Sequence, residues 1–133
     1  MNKFLRWLFP KDTRGFIGKR WINISLRTLH IIGVAGMGGG YLYQAPAQDW
    51  RPYMILTLAT GIVMLTIEIF SNAIFLVQVR GIAVMVKTAL FIFIPWAGQA
   101  QLEILILVLV ISGIISHAPA NIRYYSLYHR RMI

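Results

Sequence analysis

The chain has 133 residues, 58% of them hydrophobic and 13% charged, with a mean hydropathy of +0.66, a balance too apolar for a soluble domain and expected of an integral membrane protein. It has no cysteine, which excludes disulfides, thiolate metal sites and cysteine nucleophiles. The net charge of +9 does not point to nucleic acid, because the lysines and arginines flank apolar runs as membrane anchors do.

Residues 1–21 interleave Lys3, Arg6, Lys11, Arg14, Lys19 and Arg20 with Phe4, Leu5, Trp7, Leu8 and Phe9. Without an uninterrupted apolar core this is not a cleavable signal peptide. It reads as a basic amphipathic segment lying at the membrane interface and ended by Pro10, or as a basic tail.

A membrane-crossing helix needs roughly 20 mostly apolar residues, and four such runs follow, at about 22–43, 53–79, 82–98 and 101–118. The segment from Gln44 to Pro52 is a proline-bounded polar loop, Arg80-Gly81 a tight connection, and Pro95 to Gln99 a turn with an interfacial tryptophan. Short connections make sequential helices antiparallel neighbours, so the expected fold is an all-α, four-helix, up-down transmembrane bundle. The second run exceeds a simple span and is expected to tilt or to emerge into water.

Residues 119–133 form a basic, aromatic tail. Arg51 alone falls on the side opposite the remaining basic residues, so both termini are expected in the cytoplasm, with a bacterial inner membrane as the host.

Each run carries residues that disfavour lipid: His30, Glu68 with Asn72, Lys87, and His117. An ionisable group within a span normally faces protein, a cavity or a partner charge. Counted from the basic flanks at 1.5 Å per residue, His30, Lys87 and His117 lie about 9–10 Å inward, Asn72 about 12 Å and Glu68 about 18 Å. This places a polar band in the cytoplasmic half. Helical spacing groups His30 with Arg27, Gly33 and Met37, Glu68 with Gly61, Met64 and Asn72, and His117 with Ser112, Gly113 and Ser116.

Glu68 and Lys87, with Asn72 nearby, read as a buried ion pair fixing helix register or as proton- or ion-handling groups. Lys87 alone could snorkel to the headgroups. His30 and His117 are candidate ligands for haem b or for a metal such as copper, with Met37 as a soft additional ligand. The plainer readings are a His30 hydrogen-bonded to a neighbouring helix and a His117 capping its span near water. Met54 and Met64 are further thioethers that ordinary core packing also explains.

The Gly36 to Gly40 cluster lacks the preceding strand and following lysine of a phosphate loop, and suits close helix packing or a flat cofactor. His129, among Tyr124, Tyr125 and Tyr128, belongs to an aromatic belt. Ser112 and Ser116 beside His117 lack an acid at their depth except Glu68 on another helix, so no catalytic constellation emerges and no enzyme is expected.

His30, followed by Ile-Ile-Gly-Val-Ala-Gly-Met-Gly38-Gly39, resembles the first-helix pattern of the CopD-like family, polytopic bacterial membrane proteins associated with copper uptake. The resemblance covers one helix and implies His30 as a ligand position. The expected function is a small non-catalytic membrane protein that binds a cofactor or serves as an accessory subunit of a larger membrane redox assembly. Alternatives are an ion- or metal-coupled transporter using Glu68 and Lys87, and a structural assembly protein. The expected partners are the lipid bilayer and other membrane subunits or further copies of the chain.

Overall fold

The computed structural model describes residues 2–132 and divides into two units, one up to Ala73 and one from Ile74 onward. Each unit is built on a helical hairpin.

The first unit opens with a short helix, α1 (Lys3–Leu8), whose N-cap Asn2 side chain accepts from the Phe4 amide at 3.4 Å. Phe9, held before Pro10, leaves the helical region at φ −117°, ψ 70°, as the clash with a following proline ring favours. α2 (Lys19–Leu42) and α3 (Ala47–Ser71) then form the hairpin. They run antiparallel: His30 faces Thr60, Gly33 faces Thr57 and Tyr53, Gly36 faces the Tyr53 ring, and Gly40 faces Trp50.

The bounds of α3 differ from the expected 53–79 at both ends. Its N-cap is Pro46, at φ −57°, and Pro52 sits early enough in the helix to remove only one amide donor, so the helix starts before the expected loop has ended. At the other end Asn72 is extended at φ −169°, ψ 114°, and a five-residue 3-10 helix, Ala73–Val77, follows. The apolar run continues through this break, which is why hydrophobicity alone carries the helix too far.

The second unit contains α4 (Val79–Phe93) and α5 (Gln101–His117), joined by two 3-10 turns, Ile94–Trp96 and Gly98–Ala100. Arg80-Gly81, expected as a tight connection, lies inside the first turn of α4. Gly81 is needed there because a Cβ would collide with the Phe75 carbonyl oxygen and approach the Leu76 Cα to 3.1 Å. A one-turn helix, α6 (Ala120–Arg123), leads into a small antiparallel hairpin of β1 (Tyr125–Ser126) and β2 (Arg131–Met132). That hairpin is anchored on the segment before α4: Ser126 bridges Gln78, and the Leu127 amide donates to the Val77 carbonyl at 3.0 Å.

Three helical stretches among the described residues, Ala47–Ser71, Val79–Trp96 and Gly98–His117, are long and apolar enough to cross a membrane. The 24-residue α2 is not among them, since Arg27, His30 and five glycines from Gly33 to Gly40 dilute its apolar content. In α5 only Leu105 is buried, while Ile106, Leu107, Leu109, Val110 and Ile114 are all exposed. A helix apolar on every side belongs in lipid or against other helices.

Candidate functional site

The α2/α3 seam determines where His30 goes. Gly33, Gly36 and Gly40 recur at three- and four-residue spacing, which puts them on one helix face. A Cβ at Gly33 would overlap Thr57 Oγ1 and lie 2.9 Å from the Thr57 nitrogen and 3.0 Å from the Tyr53 carbonyl. At Gly36 it would enter the Tyr53 ring, and at Gly40 it would strike the Trp50 Cβ. The backbones therefore touch, as small residues permit in membrane helix pairs. Met37, fully buried in the same unit, and Tyr41, edge-on to Trp50 at 4.8 Å between ring centroids, complete the core.

Half-buried His30 sits against this seam. The Thr60 hydroxyl gives its proton to the Leu56 carbonyl at 2.7 Å, so its oxygen accepts from His30 Nδ1–H at 2.9 Å. The hydrogen bond fixes the imidazole tautomer. Gly61 leaves room for the ring, with His30 Cε1 only 3.3 Å from where a Cβ would stand. His30 thus meets α3 at Thr60 and Gly61, residues that its own helix spacing does not reveal. Met37, expected as a soft ligand, has no exposed surface and fills the hydrophobic interior.

The polar end of the first unit is a clasp between its N-terminal segment and the end of α3. The Arg14 amide donates to the Ser71 carbonyl at 3.0 Å, Lys19 Nζ donates to Ser71 Oγ, and Asn72 Nδ2 donates to the Pro10 carbonyl at 3.3 Å. The Arg14 guanidinium lies 4.5 Å from the Trp7 ring centroid and 4.9 Å from that of Phe70, and donates to the Trp7 carbonyl at 2.7 Å. Guanidinium groups favour such aromatic faces. Asn72 therefore helps hold the break after α3. Glu68 is half-buried, and its carbonyl receives the Asn72 amide at 3.0 Å.

In the second unit Lys87 Nζ donates to Ser112 Oγ at 2.9 Å, tying α4 to α5. Helical spacing groups Ser112 with His117. Here Ser112 serves Lys87, and His117 Nδ1–H donates instead to the Gly113 carbonyl one turn back, at 2.8 Å. His117 is exposed and is the last residue of α5. Arg80 stacks between Phe75 and Tyr124, 5.0 and 4.7 Å from their centroids, and its Nε donates to Gln78 Oε1 at 2.7 Å. His129 bonds Ser126 through both its amide, at 3.1 Å, and its Nδ1, at 2.9 Å, which closes the tail hairpin.

No family model, curated protein or solved structure matches this chain. Its function must be read from its own chemistry. Among the described residues no group of three or more His, Asp or Glu side chains could hold a metal ion. The residues that sequence spacing overlooked are Thr57, Thr60, Ser71, Ser112 as the partner of Lys87, and Arg14. The signal in the helices was a hydroxyl recurring at three- and four-residue intervals within apolar sequence.

Proposed function

We propose that this chain is a non-catalytic accessory subunit of a larger membrane assembly, with four spans and both termini on the cytoplasmic side of a bacterial inner membrane. One observation carries this reading. The polar groups His30, Lys87 and His117 are each engaged by a hydroxyl or carbonyl of their own hairpin, while the outer faces of the helices, α5 above all, remain apolar and exposed. His30 and Lys87 thus lock helix pairs, His117 closes on its own helix, and broad apolar faces are left for lipid and partner helices.

The fourth span is α2. It packs antiparallel along α3 from His30–Thr60 to Gly40–Trp50, so when α3 crosses the bilayer α2 occupies the same depth. Its low apolar content reflects glycines consumed in the seam, and the distribution of Lys and Arg sets the orientation.

A second reading, a haem b or copper site using His117, is supported by one detail. With Nδ1–H given to the Gly113 carbonyl, the lone pair lies on Nε2, and metal-binding histidines are oriented by this kind of backbone hydrogen bond. Bound haem would supply one-electron redox chemistry. His117 would hold it and Gly113 would fix the ring.

Extraction from the host membrane in mild detergent tests both readings. The accessory role predicts co-elution with a second membrane protein, and a lone 15.2 kDa chain contradicts it. The cofactor reading predicts a Soret band lost in His117→Ala, and colourless, copper-free material eliminates it.

A further inference from the structure

A cavity of about 660 Å³ opens at the start of α2, lined by Phe16, Lys19, Arg20, Asn23, Ile24 and Arg27. It is an open groove rather than an enclosed pocket, since Phe16, Arg20, Ile24 and Arg27 are exposed. Three of its six lining residues are cations and one is an amide, whereas the whole chain has only four carboxylates against thirteen lysines and arginines. Lys19, Asn23 and Arg27 recur every four residues, so they share one face of the helix.

The local chemistry around these cations favours an external negative charge. The Gly18 N-cap makes no side-chain cap, and the first turn of α2 contains no acidic residue. Lys19 and Arg20 therefore stand at the helix end that already carries partial positive charge.

The depth of the cavity is also defined. Lys19 bonds Ser71, the last residue of α3, so the cavity lies level with the polar end of a helix apolar enough to cross the membrane. Phe16 and Ile24 add apolar walls beside the cations, as a headgroup attached to acyl chains requires.

We propose that Lys19, Arg20, Asn23 and Arg27 form a binding site for a phosphate-bearing anion at the membrane surface. Arg20 and Arg27 supply forked donors that match phosphate oxygens, Lys19 supplies a point charge, and the Asn23 amide a neutral donor. The site is separate from His30 and Lys87, which lock the helix pairs, and from His117, so it stands or falls independently of the accessory role.

Native mass spectrometry of the full chain in neutral detergent, titrated with phosphatidylglycerol or phosphatidylcholine, tests it. Wild type retains the anionic lipid in preference to the zwitterionic one. A basic residue near an anionic surface strengthens binding about fivefold, so Arg20→Gln with Arg27→Gln weakens retention roughly thirtyfold. Arg20→Lys with Arg27→Lys keeps the charge and much of the binding, which separates loss of the site from loss of the fold. Arg130→Gln with Arg131→Gln removes the same charge elsewhere and leaves retention unchanged.

Displacement of the lipid by millimolar inorganic phosphate identifies phosphate itself as the ligand; displacement by phosphatidylglycerol vesicles alone identifies the lipid headgroup. Equal retention by wild type and Arg20→Gln/Arg27→Gln overturns the proposal. So does an equal loss in Arg130→Gln/Arg131→Gln, or equal binding of phosphatidylcholine.

Discussion

Gly33→Ala tests the α2/α3 seam at its tightest point. The added methyl group overlaps Thr57 Oγ1 and stands 2.9 Å from the Thr57 nitrogen and 3.0 Å from the Tyr53 oxygen, where ordinary contact begins at 3.4 Å. The last two are backbone atoms, so a rotamer change cannot relieve them and the helices must separate by about half an ångström. Overpacking of this kind costs about 1–3 kcal/mol. Separation also stretches the His30–Thr60 hydrogen bond, 2.9 Å long and one turn away, at a cost of about 1 kcal/mol. The better helix propensity of alanine returns about 0.5–1 kcal/mol. The net expectation is a destabilisation of about 1–3 kcal/mol, measured by titrating detergent-solubilised protein with sodium dodecyl sulfate. Gly39→Ala is the internal control, because a Cβ there meets nothing within 4 Å, and it should be neutral or slightly stabilising. A Gly33→Ala protein as stable as Gly39→Ala would refute the close-packed seam.

Thr60→Val keeps the shape of the helix but removes the acceptor of His30 Nδ1–H. It should lower stability by about 1–3 kcal/mol in the same titration and shift the nitrogen resonances of His30; unchanged resonances would contradict the pairing. Ser112→Ala deprives Lys87 of its hydroxyl partner and should destabilise by about 1–3 kcal/mol. Lys87→Met, which removes the charge and keeps the volume, should be neutral or stabilising if the contact is structural. Ser112→Ala proving neutral while Lys87→Met unfolds the protein would assign Lys87 a different anchor.

The sequence made parts of this architecture legible because they depend on local chemistry. The expected fourth run at 101–118 nearly matches α5, since Gln101 and the Ala118-Pro119 stop bound an unbroken apolar stretch. Glycines at Gly33, Gly36 and Gly40 announced a close helix contact, but Thr57, Tyr53 and Trp50 as the opposite face required the hairpin register. The break at Asn72 depends on neighbours distant in sequence, with Asn72 donating to Pro10 and Ser71 receiving Arg14 and Lys19, so an apolar run from 53 to 79 looked continuous. The tail hairpin likewise needs Val77 and Gln78 as its template. His30, Lys87 and His117 stand out in the sequence as ionisable groups within apolar runs. Their partners are a threonine on the next helix, a serine on the next helix and a carbonyl on the same helix, and spacing along one helix identifies only the last kind.

If α2 is a fourth span, it returns the C-terminus to the side of the N-terminus. The chain contains no cysteine, so single cysteines placed at Asn2, Gln44, Gln99 and Tyr128 can be labelled with a membrane-impermeant maleimide in sealed vesicles of known orientation. Four spans predict that Gln44→Cys and Gln99→Cys react only from the outer side, and Asn2→Cys and Tyr128→Cys only from the cytoplasmic side. Labelling of Asn2→Cys and Tyr128→Cys from opposite sides would leave three spans and contradict the account.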